Sequence, residues 1–280
     1  MVVRLISDAP RREFAVGSAM ASIAKLYGRG PAPECRPPHA RAFPGRRTLL
    51  WQILLVVAAA AAYFAVRGFT QSNLSAAQGN ARTLMDVERA MHLDGEGELQ
   101  SWLLDNDVLV NLANWVYIYG HWPVIIGVLV LLFVRLPHRY YLLRNALFIS
   151  GAIGLIVFAI VPVAPPRLGV LDLVDTVSQR SSSYRALQPP GLINRYAALP
   201  SLHFGWNLLV AVVLWRSTAN HAARIAALAM VPLMAFAVVA TANHYVVDVL
   251  AGGLVALAGL VLAWKLPALR ATPPWAREPA

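Results

Sequence analysis

The chain has 280 residues, of which 58% are hydrophobic and 14% charged, and its mean hydropathy is +0.55. A soluble domain is about 45–50% apolar and about 25% charged, so this chain carries more apolar side chain than one soluble core buries, and a lipid bilayer is the expected solvent. The single cysteine, Cys35, excludes an intramolecular disulfide and a cysteine-based zinc site. The net charge is +10 and the pI is near 10.3; whether that marks nucleic acid or membrane topology depends on where the cations sit.

Residues 1–48 are basic and Pro-rich, and their composition predicts a disordered cytoplasmic tail. A secretory signal would place its apolar stretch nearer Met1; both Met1 and Met20 stand open as the start. Six apolar stretches, each close to the roughly 20 residues a span needs, predict an all-α, six-helix membrane bundle. They are 49–66, 108–134, 145–163, a short one at 201–215, 222–241 and 244–264. Between the first two, residues 79–107 place Asp86, Glu88, Glu96 and Glu98 among Leu84, Val87, Met91 and Leu99 at spacings of three and four. That pattern predicts an amphipathic helix lying at the interface. Four regions follow: the tail to 48, a first helix with its interfacial partner at 49–107, a catalytic membrane core at 108–265, and a cytoplasmic tail at 266–280.

With the N-terminus inside and the spans alternating, 17 of the 24 Lys and Arg residues fall on the cytoplasmic side and 7 outside. Topology thus accounts for most of the basic charge, and no nucleic-acid partner is needed. The expected location is the plasma membrane with both termini cytoplasmic.

Ionisable residues at membrane depth are functional candidates by default. Arg167 follows the third span in 162-PVAPPRL-168, His203 opens the fourth in 196-YAALPSLHFGW-206, and His244 and Asp248 open the sixth in 241-TANHYVVDVLAG-252. On this topology all lie at the outer ends of their helices and converge at the extracytoplasmic face. His244 and Asp248, four residues apart, share a helix face. The carboxylate can orient the imidazole, leaving its other nitrogen as a nucleophile; an ion pair that merely packs the span fits the spacing equally well. Pro200 and Ser201 mark a helix start whose amides can hold an anion, with the Ser201 hydroxyl as a further donor and His203 beside it. The bland alternative there is a capped helix with an interfacial histidine. Arg167 and Arg195 are candidate phosphate-binding cations; a span-end arginine is more commonly an anchor. Arg139 and Arg144 read as topology signals, His121 as a packed span residue, and Arg180 and Arg185 as headgroup-binding or simply solvated. Two histidines and an aspartate could hold a metal, but the helix-start serine and the arginine favour an anion.

The pieces PSLH and HYVVD, about 40 residues apart, resemble the second and third signatures of the type 2 phosphatidic acid phosphatase superfamily, PSGH and SR-x5-H-x3-D. The block PPR…NRYAALPSLHFGW…NHYVVDVLAG is similar to bacterial, actinobacterial inositolphosphotransferase-like members and to inositol phosphorylceramide and sphingomyelin synthases. The resemblance covers roughly 108–265. It departs in three places: Ile160 stands where K-x6-RP has its lysine, Ala237 and Val238 replace the SR pair, and Leu202 replaces the glycine of PSGH. It implies a catalytic set of His203, His244 and Asp248, phosphate binding by Arg167, Ser201 and Arg195, no metal and no cofactor. It further implies a double displacement through a phosphohistidine on His244, from a membrane lipid donor to a lipid, polyol or water acceptor. Three functions stay open: a lipid phosphotransferase, a phosphatase of lipid phosphates or polyprenyl pyrophosphates, and a transporter or structural membrane protein. The clustering of candidates at one face, without an internal repeat, favours an enzyme over a transporter.

Overall fold

A computed structural model describes residues 46–69, 74–168, 171–180 and 196–266. Residues 1–45 and 267–280, with Cys35, and also Arg185 and Arg195 lie outside them; residues 46–48, expected as the end of the tail, instead begin the first helix. Ten α-helices make up the described chain: α1 (Arg46–Phe69), α2 (Leu74–Met91), α3 (Glu96–Leu104), α4 (Asp107–Tyr119), α5 (Trp122–Arg135), α6 (Pro137–Ile160), α7 (Thr176–Arg180), α8 (Leu202–Ser217), α9 (His221–Ala240) and α10 (Val246–Lys265). The all-helical expectation holds, and no strand forms among the described residues; one isolated bridge pairs Val163 with Ala197.

Helix α8 is the hub: it packs on α6, α9 and α10, while α10 also lies along α6. The largest apolar core draws Ile125 and Leu132 from α5, Leu143 and Phe158 from α6, Leu209 from α8 and Ala256 from α10. The outward faces stay apolar: Ile126, Val130, Ile156, Ile160, Ile225 and Leu254 are all more than half exposed. A bundle with a buried core and an apolar exterior is what lipid solvation permits and water does not.

The number of spans departs from expectation. Helices α6, α9 and α10 are long and apolar enough to cross a membrane, and α4 with α5 makes a fourth only if the bent pair counts as one span. The expected continuous span 108–134 is broken by 42° between Tyr119 and Trp122, where Gly120 caps α4 and Pro123 opens α5. Helix α8 has 16 residues, about 24 Å at the usual rise, short of the roughly 30 Å hydrocarbon core. Helix α1 is long, with Leu50, Trp51, Leu54 and Val57 exposed, and is tied to α6 through Gln52. The Gln52 Oε1 accepts from Tyr140 Oη at 3.2 Å and Arg144 Nη1 at 2.5 Å. Arg144, expected as a topology signal, therefore also clamps two helices and lies over the Tyr141 ring at 4.7 Å.

The expected single helix over 79–107 is two. The chain turns at His92, which takes a left-handed φ of 55°, and restarts at Glu96. Its acids also divide. Asp86, Asp94, Glu98 and Asp105 are exposed, as an amphipathic helix predicts, but Glu88 and Glu96 are buried. The reason lies in the stripe Ala77, Ala81, Leu84 and Glu88: one face of α2 packs inward, and Glu88 is on it.

Candidate active site

The polar centre is assembled by the α9–α10 turn, the start of α8, and two segments flanking the long connection. In the turn, Ala242 adopts a φ of 57°, and the amides of Asn243 and His244 both donate to Val238 O, at 3.1 and 3.0 Å. His244 therefore precedes the helix. This corrects the expectation that His244 and Asp248 share a helix face: Tyr245 is the N-cap and Asp248 sits in the first turn, its Oδ2 accepting from Tyr245 N at 2.9 Å.

The pair still meets. His244 Nδ1 is 3.4 Å from Asp248 Oδ2, but its shorter contact is to the carbonyl oxygen of Ala198, at 2.8 Å. A carbonyl can only accept, so Nδ1 carries the proton and Nε2 keeps its lone pair. The backbone fixes the tautomer, and Asp248 adds charge beside it. Ala198 is itself pinned, since Val163 N donates to Tyr196 O at 2.9 Å and Ala198 N to Val163 O at 3.2 Å.

The α8 start is locked to α10 by a bond from Ser201 N to Asp248 O at 2.9 Å. Gly252 makes this approach possible: a Cβ there would overlap the Ser201 carbonyl oxygen and lie 2.8 Å from its carbon. Ser201 is fully buried, and its hydroxyl accepts from Phe204 N at 3.5 Å. Its amide is thus already used, which narrows the anion-holding role read from the sequence, and Pro200 lies one residue before the N-cap rather than in the first turn.

His203 projects toward His244, with ring centroids 6.0 Å apart. Its ring lies between Tyr117, stacked at 4.5 Å, and His121, at 4.2 Å. His121 is buried as expected, but it packs directly on His203, so sequence reasoning missed its place in the site. Asn207 also joins, donating to His203 O at 2.9 Å and approaching His121 Nδ1 at 3.5 Å. Its spacing of four from His203 on one helix is a signal that was available.

Arg167 reaches the same turn. Its backbone N–H donates to Ala242 O at 3.1 Å, Nη1 to Asn243 Oδ1 at 2.6 Å, and Nε pairs with Asp175 Oδ2 at 3.2 Å. The guanidinium is held on two sides next to the residue preceding His244, which is more constrained than an interfacial anchor. Arg180 pairs with Asp107. Among the described residues, no group of three His, Cys, Asp or Glu is arranged to hold a metal ion.

Behind the turn, three carboxyl groups meet the first amides of α10. Asp248 takes Tyr245 N, Glu96 Oε1 takes Val246 N at 3.1 Å, and Glu88 Oε1 takes Val247 N at 2.7 Å. Burial pushes Glu88 up to about 8, with the Glu96 and Asp248 charges adding to the shift. The Tyr245 hydroxyl donates to Ala164 O at 3.1 Å.

The family model of the PAP2 superfamily matches residues 82–262, about two thirds of the chain. The chain belongs to the PAP2 superfamily. No curated protein and no solved structure matches it significantly. Superfamily membership brings a phosphatase- or phosphotransferase-type function. The match begins at 82, so the part of α2 bearing Glu88 and all of α3 fall inside the matched residues.

Proposed function

We propose that this PAP2 superfamily member is an integral membrane lipid phosphotransferase of the inositolphosphotransferase-like branch, working through a phosphohistidine on His244 at the extracytoplasmic face. The observation that carries the reading is the commitment of His244 Nδ1 to Ala198 O at 2.8 Å, which leaves Nε2 as a nucleophile. Asp248 beside it stabilises the imidazolium that forms. With ring centroids 6.0 Å apart, one phosphoryl group and its leaving oxygen can touch both His244 and His203.

In the first half-reaction His244 Nε2 attacks phosphorus, an N–P bond forms and the P–O bond to the donor lipid breaks. Protonated His203 gives its proton to the departing alkoxide. In the second, His203 takes the proton of the acceptor hydroxyl, the new P–O bond forms and the N–P bond breaks. Both residues return to their starting states, so no redox partner or metal is needed for balance. Arg167 and Arg195, with the α8 start at Ser201, bind the phosphate oxygens. Arg167 stands in for the cations of the superfamily signatures that Ile160, Ala237 and Val238 leave out. The arrangement of 17 cations inside and 7 outside supports cytoplasmic termini and an extracytoplasmic site in the plasma membrane, with α1 and α8 completing six crossings.

The test is mass spectrometry of products from the purified full chain in heavy-oxygen water. The donors are phosphatidylinositol, phosphatidic acid and a polyprenyl pyrophosphate, with and without a lipid alcohol. A new phosphodiester free of heavy oxygen, absent in His244→Ala, is the expected result. Heavy oxygen in released phosphate would make water the acceptor and the protein a phosphatase with the same residues. A His244→Ala protein that keeps most of its activity would overturn the nucleophile assignment.

A further inference from the structure

The reaction above leaves two buried acids without a role. Glu88 from α2 and Glu96 from α3 are 1% and 2% exposed, and their carboxyl groups meet neighbouring amides of one helix turn, the first of α10. Among the described residues no Lys, Arg or His pairs with either one. The titratable groups that face them are each other, Asp248 and Tyr245. Two bare carboxylates on consecutive amides, out of water and beside a third, are heavily penalised. A helix N-terminus offers only about half a positive charge in return. A single proton shared between them removes the penalty and supplies the missing donor, because a carboxylic O–H of one can bond a carboxylate oxygen of the other.

We propose that Glu88 and Glu96 form a proton-sharing carboxyl pair that grips the first turn of α10 and thereby positions His244 and Asp248 for phosphoryl transfer. They are positioning residues and touch no substrate. The inference rests on the proposed transfer reaction for its kinetic part only. Its consequence is an alkaline limit built into the fold. Below about pH 8 the pair holds one proton and a single negative charge. As pH rises through that value Glu88 ionises, and Glu88, Glu96 and Asp248 become three anions around three consecutive amides. Their repulsion is relieved by parting α2 and α3 from α10, which moves the turn carrying His244. The sign is that of an acid raised in the folded state: its stabilisation is present at low pH and is lost on ionisation.

Glu88→Gln tests this, because the amide still accepts from Val247 N and still donates to Glu96, yet it does not ionise. At pH 7 it should keep kcat within about threefold of the unaltered protein, and above pH 8 it should fall off less steeply. Glu88→Ala should lower kcat about ten- to hundredfold with little change in KM, since it strands the Val247 N–H and leaves Glu96 without its proton donor. A second measurement needs no substrate. Infrared titration of the full chain in detergent should show a protonated carboxylic acid band that disappears near pH 8 and is missing in Glu88→Gln. An absent band, an unchanged alkaline limb in Glu88→Gln, or a fully active Glu88→Ala would each overturn the proposal. If the unaltered protein turns over none of the offered lipids, the proposed function fails, while the infrared band still decides for or against the pair.

Discussion

Helices α8 and α10 start side by side, joined by the bond from Ser201 N to Asp248 O, and their ends are treated differently. Helix α8 begins on a neutral cap, Ser201, and carries a histidine two residues on. Helix α10 begins under three carboxyl groups, one for each of the amides of Tyr245, Val246 and Val247. Both ends have the same partial positive charge. At α10 the protein's own acids take up the first three amides, so that end anchors a turn. At α8 no such acid cover forms among the described residues, and in the proposed reaction that end faces the phosphate. The same backbone electrostatics yields an anchor in one place and a working surface in the other.

Four substitutions probe this division. At α8, His203→Ala should lower kcat by about 10²–10⁴, the usual worth of general acid–base help; a loss below tenfold would reduce this end to a mere scaffold. At α10, Asp248→Asn removes charge while its amide oxygen can still accept from Tyr245 N and Ala198 O still holds the His244 tautomer. A kcat loss of about 10²-fold with an unchanged melting temperature is expected; equal loss with His203→Ala would mean the charge matters as much as the acid. The joint between the ends is tested by Gly252→Ala. Its methyl must push Ser201 away, which should cost about 1–3 kcal/mol and lower the detergent melting temperature by several degrees; an unchanged melting curve would show that the close approach is dispensable. The smallest change is Ala242→Gly. Relief of a left-handed backbone at Ala242, worth about 1–2 kcal/mol before the entropy that glycine loses on folding, should leave activity unchanged and stability equal or slightly higher. A marked fall in melting temperature would show that the Ala242 methyl matters more than its backbone strain.

The parts of this site that were legible in the sequence are those written in residue types at fixed spacing. His203, His244 and Asp248 were readable because charged groups at membrane depth are scarce, and the structure brings the three together. The helices were readable from apolar runs, although their number as spans was not. The break at Gly120 and His121 falls inside a run that mean hydropathy alone reads as one continuous span. The tautomer of His244 was not legible, because its partner is a backbone carbonyl, and Ala198 carries no chemical mark. The amphipathic pattern over 79–107 does not single out Glu88 and Glu96, since an acidic side chain in such a segment normally faces water. A closer look at the Ala77, Ala81, Leu84 stripe would have placed Glu88 on the inward face. Nothing comparable signals the pairing of Arg167 with Asp175, which depends on how the connection folds back.

The bridge between Val163 and Ala197 has a consequence for change over time. It ties the two ends of the connection together at the point where Ala198 meets His244, so the chain leaves and rejoins the catalytic framework at nearly one place. The stretch between those ends can therefore change in length while Ala198 keeps its hold on His244, provided that Arg167 and its contacts to Ala242 and Asn243 stay in place. Closing a longer loop costs only about 0.6 kcal/mol for each doubling of its length. A short backbone bridge thus makes the position of one carbonyl, and with it the tautomer of one histidine, independent of how long the chain between the two bridged ends is.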